Sequence, residues 1–279
     1  VAARAERVSA AAGRSEVSQK NSRAPQRVRN ELRFRHLTVA SKIQVAGVFW
    51  RIVFTGADLA GFHSPSFDDH IKLFFPPEPG CDFALPQMGE EGIIWPEGVR
   101  PAARDYTPLA FNGIDSLTLD FYMHDDGVAS GWAAAAKPGD RIAMGGPRGS
   151  CIMPADYACQ VYVCDETGLP AFKRRYAGLQ AQRVHLLAFT DAATGHSYLG
   201  EMEGVTAHWL GSNRMATTTP AQLTAELAAI DFTGGDYFVW LTGEGNAVKQ
   251  LSDYFTQQRG VHTDFIRAVA YWHQKSPEK

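Results

Sequence analysis

At about Gln160 the sequence changes its rhythm, and that change constrains the fold more than any single motif. Before it come short strand-like runs closed by turn residues: Val48–Phe54 ahead of Thr55-Gly56, His70–Phe75 ahead of Pro76-Pro77, and the alternating Leu117–His124. Many short runs of this kind predict an antiparallel barrel. After it, the apolar runs Val161–Cys164, Val184–Phe189, Val205–Leu210, Tyr237–Thr242 and Ile266–Trp272 are interleaved with helical stretches. Those stretches run through Leu179, over 220–230 and from Ala247 to Gln258. Such β–α alternation predicts a small parallel sheet whose ligands sit at the carboxyl ends of its strands. The expected plan is a two-domain β plus α/β chain: a disordered basic tail over 1–30, a β-barrel domain over 31–155 and an α/β domain over 156–279.

The rest of the composition narrows the class. Of the 279 residues, 45% are hydrophobic, enough for a sizeable core, and no uninterrupted apolar run is long enough to span a membrane. The first thirty residues carry seven basic side chains against two acidic ones, in a chain whose net charge is −3. Lacking aromatics, that tail reads as solvated rather than as a nucleic-acid arm. Cys81, Cys151, Cys159 and Cys164 form no metal-binding spacing, which favours a reducing, cytoplasmic location. Nine scattered His residues give no metal motif, and no P-loop or nucleophile-elbow pattern is present.

Within the first half, Arg104-Asp105-Tyr106-Thr107-Pro108 sets a cation, a flat aromatic and a hydroxyl along one short strand. An Arg fork suits a pyrophosphate, a Tyr face suits a ring, and a Thr hydroxyl can serve a ring nitrogen that gains a proton. The set suits a flavin dinucleotide, although Arg and Tyr are also common on ordinary exposed strands. Residues 76–101, rich in Pro and Gly, read as a long loop leading into this strand. Ser130–Lys137 reads as a helix capped by Ser130 and stopped by Pro138-Gly139. Its start, preceded by the small Gly127-Val128-Ala129, is either an anion site or a plain capped connector. The tight turn Gly145–Ser150 brings one more cation, Arg148.

In the second half, Asp165-Glu166-Thr167 occupies the first strand-to-helix turn, where two carboxylates would repel a pyrophosphate. Gly243-Glu244-Gly245 opens a later strand-to-helix turn but lacks the third glycine of a dinucleotide fingerprint. Arg214 follows a strand, a position open to a reader of a 2′-phosphate and to a solvated loop cation alike. Lys173-Arg174-Arg175 reads as a solvated helix face. Arg267, His273, Lys275 and Lys279 form a basic ending.

The order of these segments resembles the siderophore-interacting proteins, the ferric-siderophore reductases of the ferredoxin-reductase-like superfamily. The resemblance covers roughly 34–275 and rests on His70–Pro76, Arg104–Thr107, Phe121–His124, Gly127–Ala133, Pro138-Gly139-Asp140, Gly146–Ser150, Asp165–Ala171, Gly243-Glu244 and Tyr271-Trp272. It implies an FAD-binding barrel joined to an NADH- or NADPH-binding-type domain. Electrons would pass through FAD to the Fe(III) of a ferric siderophore, with ferredoxin as an alternative donor and a non-catalytic carrier as an alternative role.

Carried onto this chain, Arg104 would hold the FAD phosphates, Tyr106 would pack on the flavin ring and Thr107 would meet its reactive edge. His124 would lie close to the flavin, Ala129 and Ser130 would bind pyrophosphate, and Arg148 is a further flavin-side candidate. Asp165, Glu166, Thr167, Gly243 and Glu244 would line the nicotinamide cleft. Two departures stand out: Leu109 replaces an Arg usual two residues after the Thr, and His273 replaces the Arg of a Gly-Tyr-Trp-Arg ending. The basic rim facing an anionic chelate would then rest on Lys275, with His273 and Arg267 beside it.

Overall fold

The computed structural model describes residues 23–275, apart from residue 79, residues 97–99 and residue 182. Sixteen strands fall in these residues: β1 (Gln26–Arg29), β2 (Phe34–Val45), β3 (Phe49–Thr55), β4 (Ile71–Phe75), β5 (Gln87–Gly89), β6 (Gly92–Ile94), β7 (Ala102–Tyr106), β8 (Ala110–Phe111), β9 (Ser116–Tyr122), β10 (Arg141–Gly145), β11 (Gly149–Ile152), β12 (Cys159–Asp165), β13 (Arg183–Phe189), β14 (Val205–Trp209), β15 (Tyr237–Glu244) and β16 (Ile266–Trp272). Five α-helices accompany them: α1 (Val128–Ala135), α2 (Leu169–Tyr176), α3 (Ala192–Leu199), α4 (Thr224–Ala228) and α5 (Gly245–Asp253).

The change of rhythm at Gln160 is a change of sheet. One seven-stranded antiparallel sheet has the order β7-β4-β10-β2-β3-β9-β8, and β7 and β8 stand at opposite edges without pairing to each other. The sheet curls around Leu37, Ile52, Phe54, Leu73, Leu119, Phe121 and Ile142, all fully buried. It is a half-barrel rather than a closed one. Helix α1 covers this core through Trp132, which meets Phe54, Phe75 and Phe121 at ring distances of 6.1, 5.5 and 6.0 Å.

From Cys159 onward a five-stranded parallel sheet follows the order β14-β13-β12-β15-β16. Strand β12 lies at its centre, and all seven of its residues are buried, as expected of a strand covered on both faces. The chain order reverses between β12 and β15, so the crevice at their carboxyl ends is the topological switch point.

Four local readings are corrected. Residues 26–29 of the expected tail form β1, which pairs with β11 from Gln26↔Ile152 to Arg29↔Gly149; residues 1–22 lie outside the described residues. The loop 76–101 contains the β5–β6 hairpin, held down by Trp95 against Phe74 and Phe83. Helix α3 was not signalled by the sequence. Lys173-Arg174-Arg175 is no solvated face: Arg174 donates to Ser64 and to the Pro108 carbonyl, and Arg175 to the Tyr162 hydroxyl and the Met153 and Pro154 carbonyls. Those guanidinium groups join the two halves, and a sequence pattern cannot tell a contact across halves from a solvated stripe.

Candidate functional site

The edge strand β7 carries the first part of the site. Arg104 pairs with Leu73 and Tyr106 with Ile71, so by the two-residue period both side chains share the face on which Leu73 and Ile71 are buried. Tyr106 packs on Phe121 at 4.5 Å, and burial, eased by the nearby Arg104 charge, raises its hydroxyl to about 12. Arg104 is exposed, and among the described residues its guanidinium donates only to the carbonyl of its neighbour Ala103, at 2.7 Å. A forked cation beside a half-buried phenol is thereby presented at an open sheet edge. Thr107 is buried at the end of β7, near Tyr271 of the last strand of the other half.

Helix α1 supplies the second part, with a different start from the one the sequence suggested. It begins at Val128 after Gly127, whose φ of 149° is open to glycine and whose missing Cβ would sit 2.6 Å from the His124 ring. Ser130 is therefore inside the first turn and not its cap. Its Oγ donates to the His124 carbonyl at 2.9 Å and accepts from the His124 N–H at 3.1 Å, folding the 124–127 turn back on the helix. The amides of the first turn have no intrahelical acceptor. Tyr106, Phe121 and Trp132 form one continuous aromatic row from β7 to α1, at 4.5 and 6.0 Å. Arg148 stands apart on the turn between β10 and β11, exposed, with its carbonyl accepting from the Asn30 N–H.

The third part is the switch-point crevice. Asp165 ends β12, and its carboxylate accepts from the Thr167 N–H and hydroxyl and from the Trp272 indole, the last at 2.6 Å. Burial raises its pKa, and the Thr167 and Trp272 hydrogen bonds oppose the rise. Glu166 behaves alike: burial raises it, and the Ser212 hydroxyl, donating at 2.6 Å, works against the rise. Glu244 ends β15 and caps α5 by accepting from the Ala247 N–H at 2.8 Å. Gly243 has φ 131°, and a Cβ there would come within 2.3 Å of the Met215 sulfur and 3.4 Å of Asp165 Oδ2. Asp165, Glu166, Thr167, Gly243 and Glu244 are therefore one cluster.

The two halves meet over this cluster. Tyr122, at the end of β9, lies in the field of Glu166; burial chiefly, then Glu166, raises its pKa. The His124 ring stands 6.2 Å beyond the Tyr122 ring. Sequence reading missed Ser212, Trp272, Tyr271 and Tyr122 as members of the cleft. The Tyr-Trp pair was visible as a motif, but its partners lie more than a hundred residues away.

The expected basic rim is not one surface. His273 lies over Gly245, where a Cβ would meet its ring at 2.2 Å, and Lys275 follows it, exposed. Arg267 sits six residues earlier on β16, roughly 20 Å away along an extended chain. It is committed to Asp68 of the other half, at 2.5 Å. That buried carboxylate also accepts from the Trp240 indole at 3.2 Å. Arg267 is thus a strut between the halves.

The donor set suits FAD: an exposed Arg104 fork and the partly buried Tyr106 ring at the β7 edge, with the start of α1 on the same half, and the strand ends around Asp165 on the other. Among the described residues no group of three or more His, Cys, Asp or Glu could hold a metal, and no helix is long and apolar enough to cross a membrane.

An antiparallel half-barrel followed by a parallel five-stranded sheet, with a cleft between them, defines the ferredoxin-reductase-like two-domain class. The ferredoxin reductase of carbazole 1,9a-dioxygenase shares this fold at a TM-score of 0.61 and 15% identity, over 87% of this chain and 70% of that one. Residues 38–151 match the siderophore-interacting FAD-binding domain, and residues 157–275 match the siderophore-interacting protein domain. The chain belongs to the siderophore-interacting protein family. It is 47% identical to the NADPH-dependent ferric-chelate reductase of Escherichia coli (strain K12) over 258 residues, 91% of this chain and 98% of that one. Ferric vibriobactin reductase ViuB of Vibrio cholerae is 26% identical over 251 residues, 88% of this chain and 91% of that one. A siderophore utilization protein from T. fusca superposes with a TM-score of 0.78 at 31% identity, over 91% of this chain and 97% of that one.

Proposed function

We propose that this protein is an FAD-dependent reductase that takes electrons from NADPH and delivers them to the Fe(III) of a ferric siderophore, releasing Fe(II). The observation that carries the reading is the cleft between the halves, with the exposed Arg104 edge on one side, the Asp165–Trp272 strand ends on the other, and Arg174 on Ser64 and Arg267 on Asp68 holding the two together. FAD, when bound, supplies the change from hydride acceptance to single-electron donation.

The chain supplies position and charge. Arg104 and the first-turn amides at Ala129 and Ser130 hold phosphate, and His124 and Arg148 stand on the flavin side. Tyr106 offers its ring face, and Thr107 holds a hydroxyl at the ring edge. Asp165, Glu166, Thr167, Gly243 and Glu244 line the nicotinamide side, where the carboxylates favour donor groups such as amides and ribose hydroxyls. Lys275 and His273 form the rim that meets an anionic chelate, acting within a Debye length of about 8 Å. Oxygen donors hold Fe(III) better than Fe(II), so reduction loosens the metal without a protein ligand to it. The four cysteines are free, in keeping with a reducing cytoplasmic setting.

The test is anaerobic mixing of the yellow protein with NADPH, NADH or reduced ferredoxin, followed by a ferric catecholate or hydroxamate chelate and a ferrous-specific dye. Bleaching by a nicotinamide and then a ferrous signal is expected. Bleaching by ferredoxin alone would replace the donor, and a flavin that no donor bleaches would leave a carrier.

A further inference from the structure

Helix α2 starts at Leu169, with only Gly168 between it and the Asp165–Thr167 turn. Leu169, Ala171 and Phe172 are fully buried along it, and the Phe172 ring packs on Tyr162 of β12 at 5.1 Å. The turn and the helix are therefore one packed unit. Arg174, in the last turn of α2, reaches the other half. Its Nη1 donates to the Ser64 hydroxyl at 2.8 Å and to the Pro108 carbonyl at 3.2 Å, and its Nη2 donates to the Ser64 carbonyl at 2.5 Å.

Both arms of the fork end on backbone that flanks Tyr106 and Thr107. Pro108 directly follows Thr107, and the next residue is tied to β9 by the Leu109 N–H donating to the Thr118 carbonyl at 3.0 Å. On the other arm, the Ser64 hydroxyl donates in turn to Asp69 Oδ2 at 2.8 Å, an oxygen that also accepts from the Ser66 N–H at 3.0 Å. Two residues on, β4 begins with Ile71, the partner of Tyr106. The acceptors of Arg174 are a hydroxyl and two carbonyls, none of them charged. Burial lowers the guanidinium pKa, and Asp69 and then Asp68 oppose the fall. Such contacts offset only part of the lost hydration, so adhesion is not what they supply best. A planar fork with fixed donors sets an angle and a distance.

Resting on the reductase reading, we propose that Arg174 is a positioning residue for the nicotinamide half-reaction: it fixes the flavin edge at Thr107 against the turn Asp165–Thr167. In that step a C–H bond of the dihydronicotinamide breaks and an N–H bond forms on the flavin. The electron pair moves with the hydrogen, so NADPH is oxidised to NADP+ as FAD is reduced. Arg174 touches neither reacting group and acts through the backbone of Pro108 and Ser64. Delivery of electrons to Fe(III) needs no nicotinamide, and so does not depend on Arg174.

The test compares wild type with Arg174→Met and Arg174→Lys. Titration of each apoprotein with FAD, followed by flavin fluorescence, should give affinities within about threefold of one another. Anaerobic bleaching over a range of NADPH concentrations should then separate them. Arg174→Met should lower the saturated rate by about tenfold or more, as a small misplacement of reacting atoms does, with little change in the half-saturating concentration. Arg174→Lys, a point donor without the fork, should recover only part of that loss. The long-wavelength absorbance of dithionite-reduced protein mixed with NADP+, a signature of stacked rings, should weaken in Arg174→Met. Dithionite-reduced Arg174→Met should still pass electrons to a ferric hydroxamate chelate at the wild-type rate. A variant that bleaches at the wild-type saturated rate would overturn the proposal, and so would an equal loss in the iron step. Loss of FAD by Arg174→Met would make Arg174 a strut like Arg267 and overturn it too. Should that variant not fold, Arg174→Lys decides: with FAD bound, a saturated rate equal to wild type overturns the positioning role, and a lowered one with an intact iron step supports it. A wild type bleached by neither NADPH nor NADH removes the reductase reading itself, and this proposal with it.

Discussion

Burial raises the pKa of Glu166 while the Ser212 hydroxyl opposes it, so the folded chain holds that proton more tightly than the unfolded one. The linkage sign follows. The stabilisation is present below the ordinary carboxylate range and is lost as pH rises through the folded-state value. Glu166→Gln keeps an oxygen for Ser212 and removes the charge. Its stability relative to wild type should climb with pH across that window and level off above it, as urea midpoints at a series of pH values would show. A difference independent of pH would mean that the Glu166 charge is not desolvated. Gly243 offers a second residue-scale test. With φ at 131° and the Met215 sulfur 2.3 Å from the position of a Cβ, Gly243→Ala should lower stability by about 1–3 kcal/mol. These carboxylates were legible because acidic residues at a strand-to-helix turn stand out against the usual glycines. Ser212 and Trp272 were not, because hydrogen bonds across 46 and 107 residues of chain leave no spacing to read.

Helices show where local preference misleads. Ser130 before an alanine run announced a helix, but its start is set by Gly127 and the His124 turn, with Ser130 turned inward. Ser130→Ala should strand both backbone groups of His124, lowering stability by about 1–2 kcal/mol and weakening FAD retention; a variant that melts with wild type would dismiss this role. Helix α3 went unread because Ala-Ala-Thr-Gly-His-Ser-Tyr-Leu is a weak helix former with a glycine at its centre. Gly195 is there because the Trp209 ring lies 2.1 Å from where its Cβ would be. Alanine would raise helix propensity by roughly 1 kcal/mol. Overpacking against an indole held on β14 costs about 1–3 kcal/mol, so Gly195→Ala should destabilise. Chemical denaturation decides it: a gain would show that Trp209 gives way freely.

The two halves are legible as two folds, but not the contacts that fix one against the other, and the cleft exists only through those contacts. Asp120 on β9 accepts both nitrogens of an Arg51 fork at 2.8 Å and the Tyr198 hydroxyl of α3 at 2.6 Å. Asp68, before β4, accepts from Arg267 and Trp240 in the other half. Asp68 is 2% exposed as a side chain, so its charge depends on Arg267, which is 19% exposed. Removing one partner of such a pair leaves an uncompensated buried charge and typically costs about 3–5 kcal/mol. Arg267→Met should lose that much, and should loosen FAD as the two halves drift apart. Lys249→Met provides the contrast. Its ion pair with Asp253 is an exposed one-turn pair on α5, 76% and 48% exposed, worth less than about 1 kcal/mol. Urea unfolding of both variants, followed by circular dichroism and by flavin fluorescence, separates strut from ornament. Were Arg267→Met to unfold within about 1 kcal/mol of Lys249→Met, the halves would be held by their other contacts, and Arg267 would be restored as a candidate for the substrate rim.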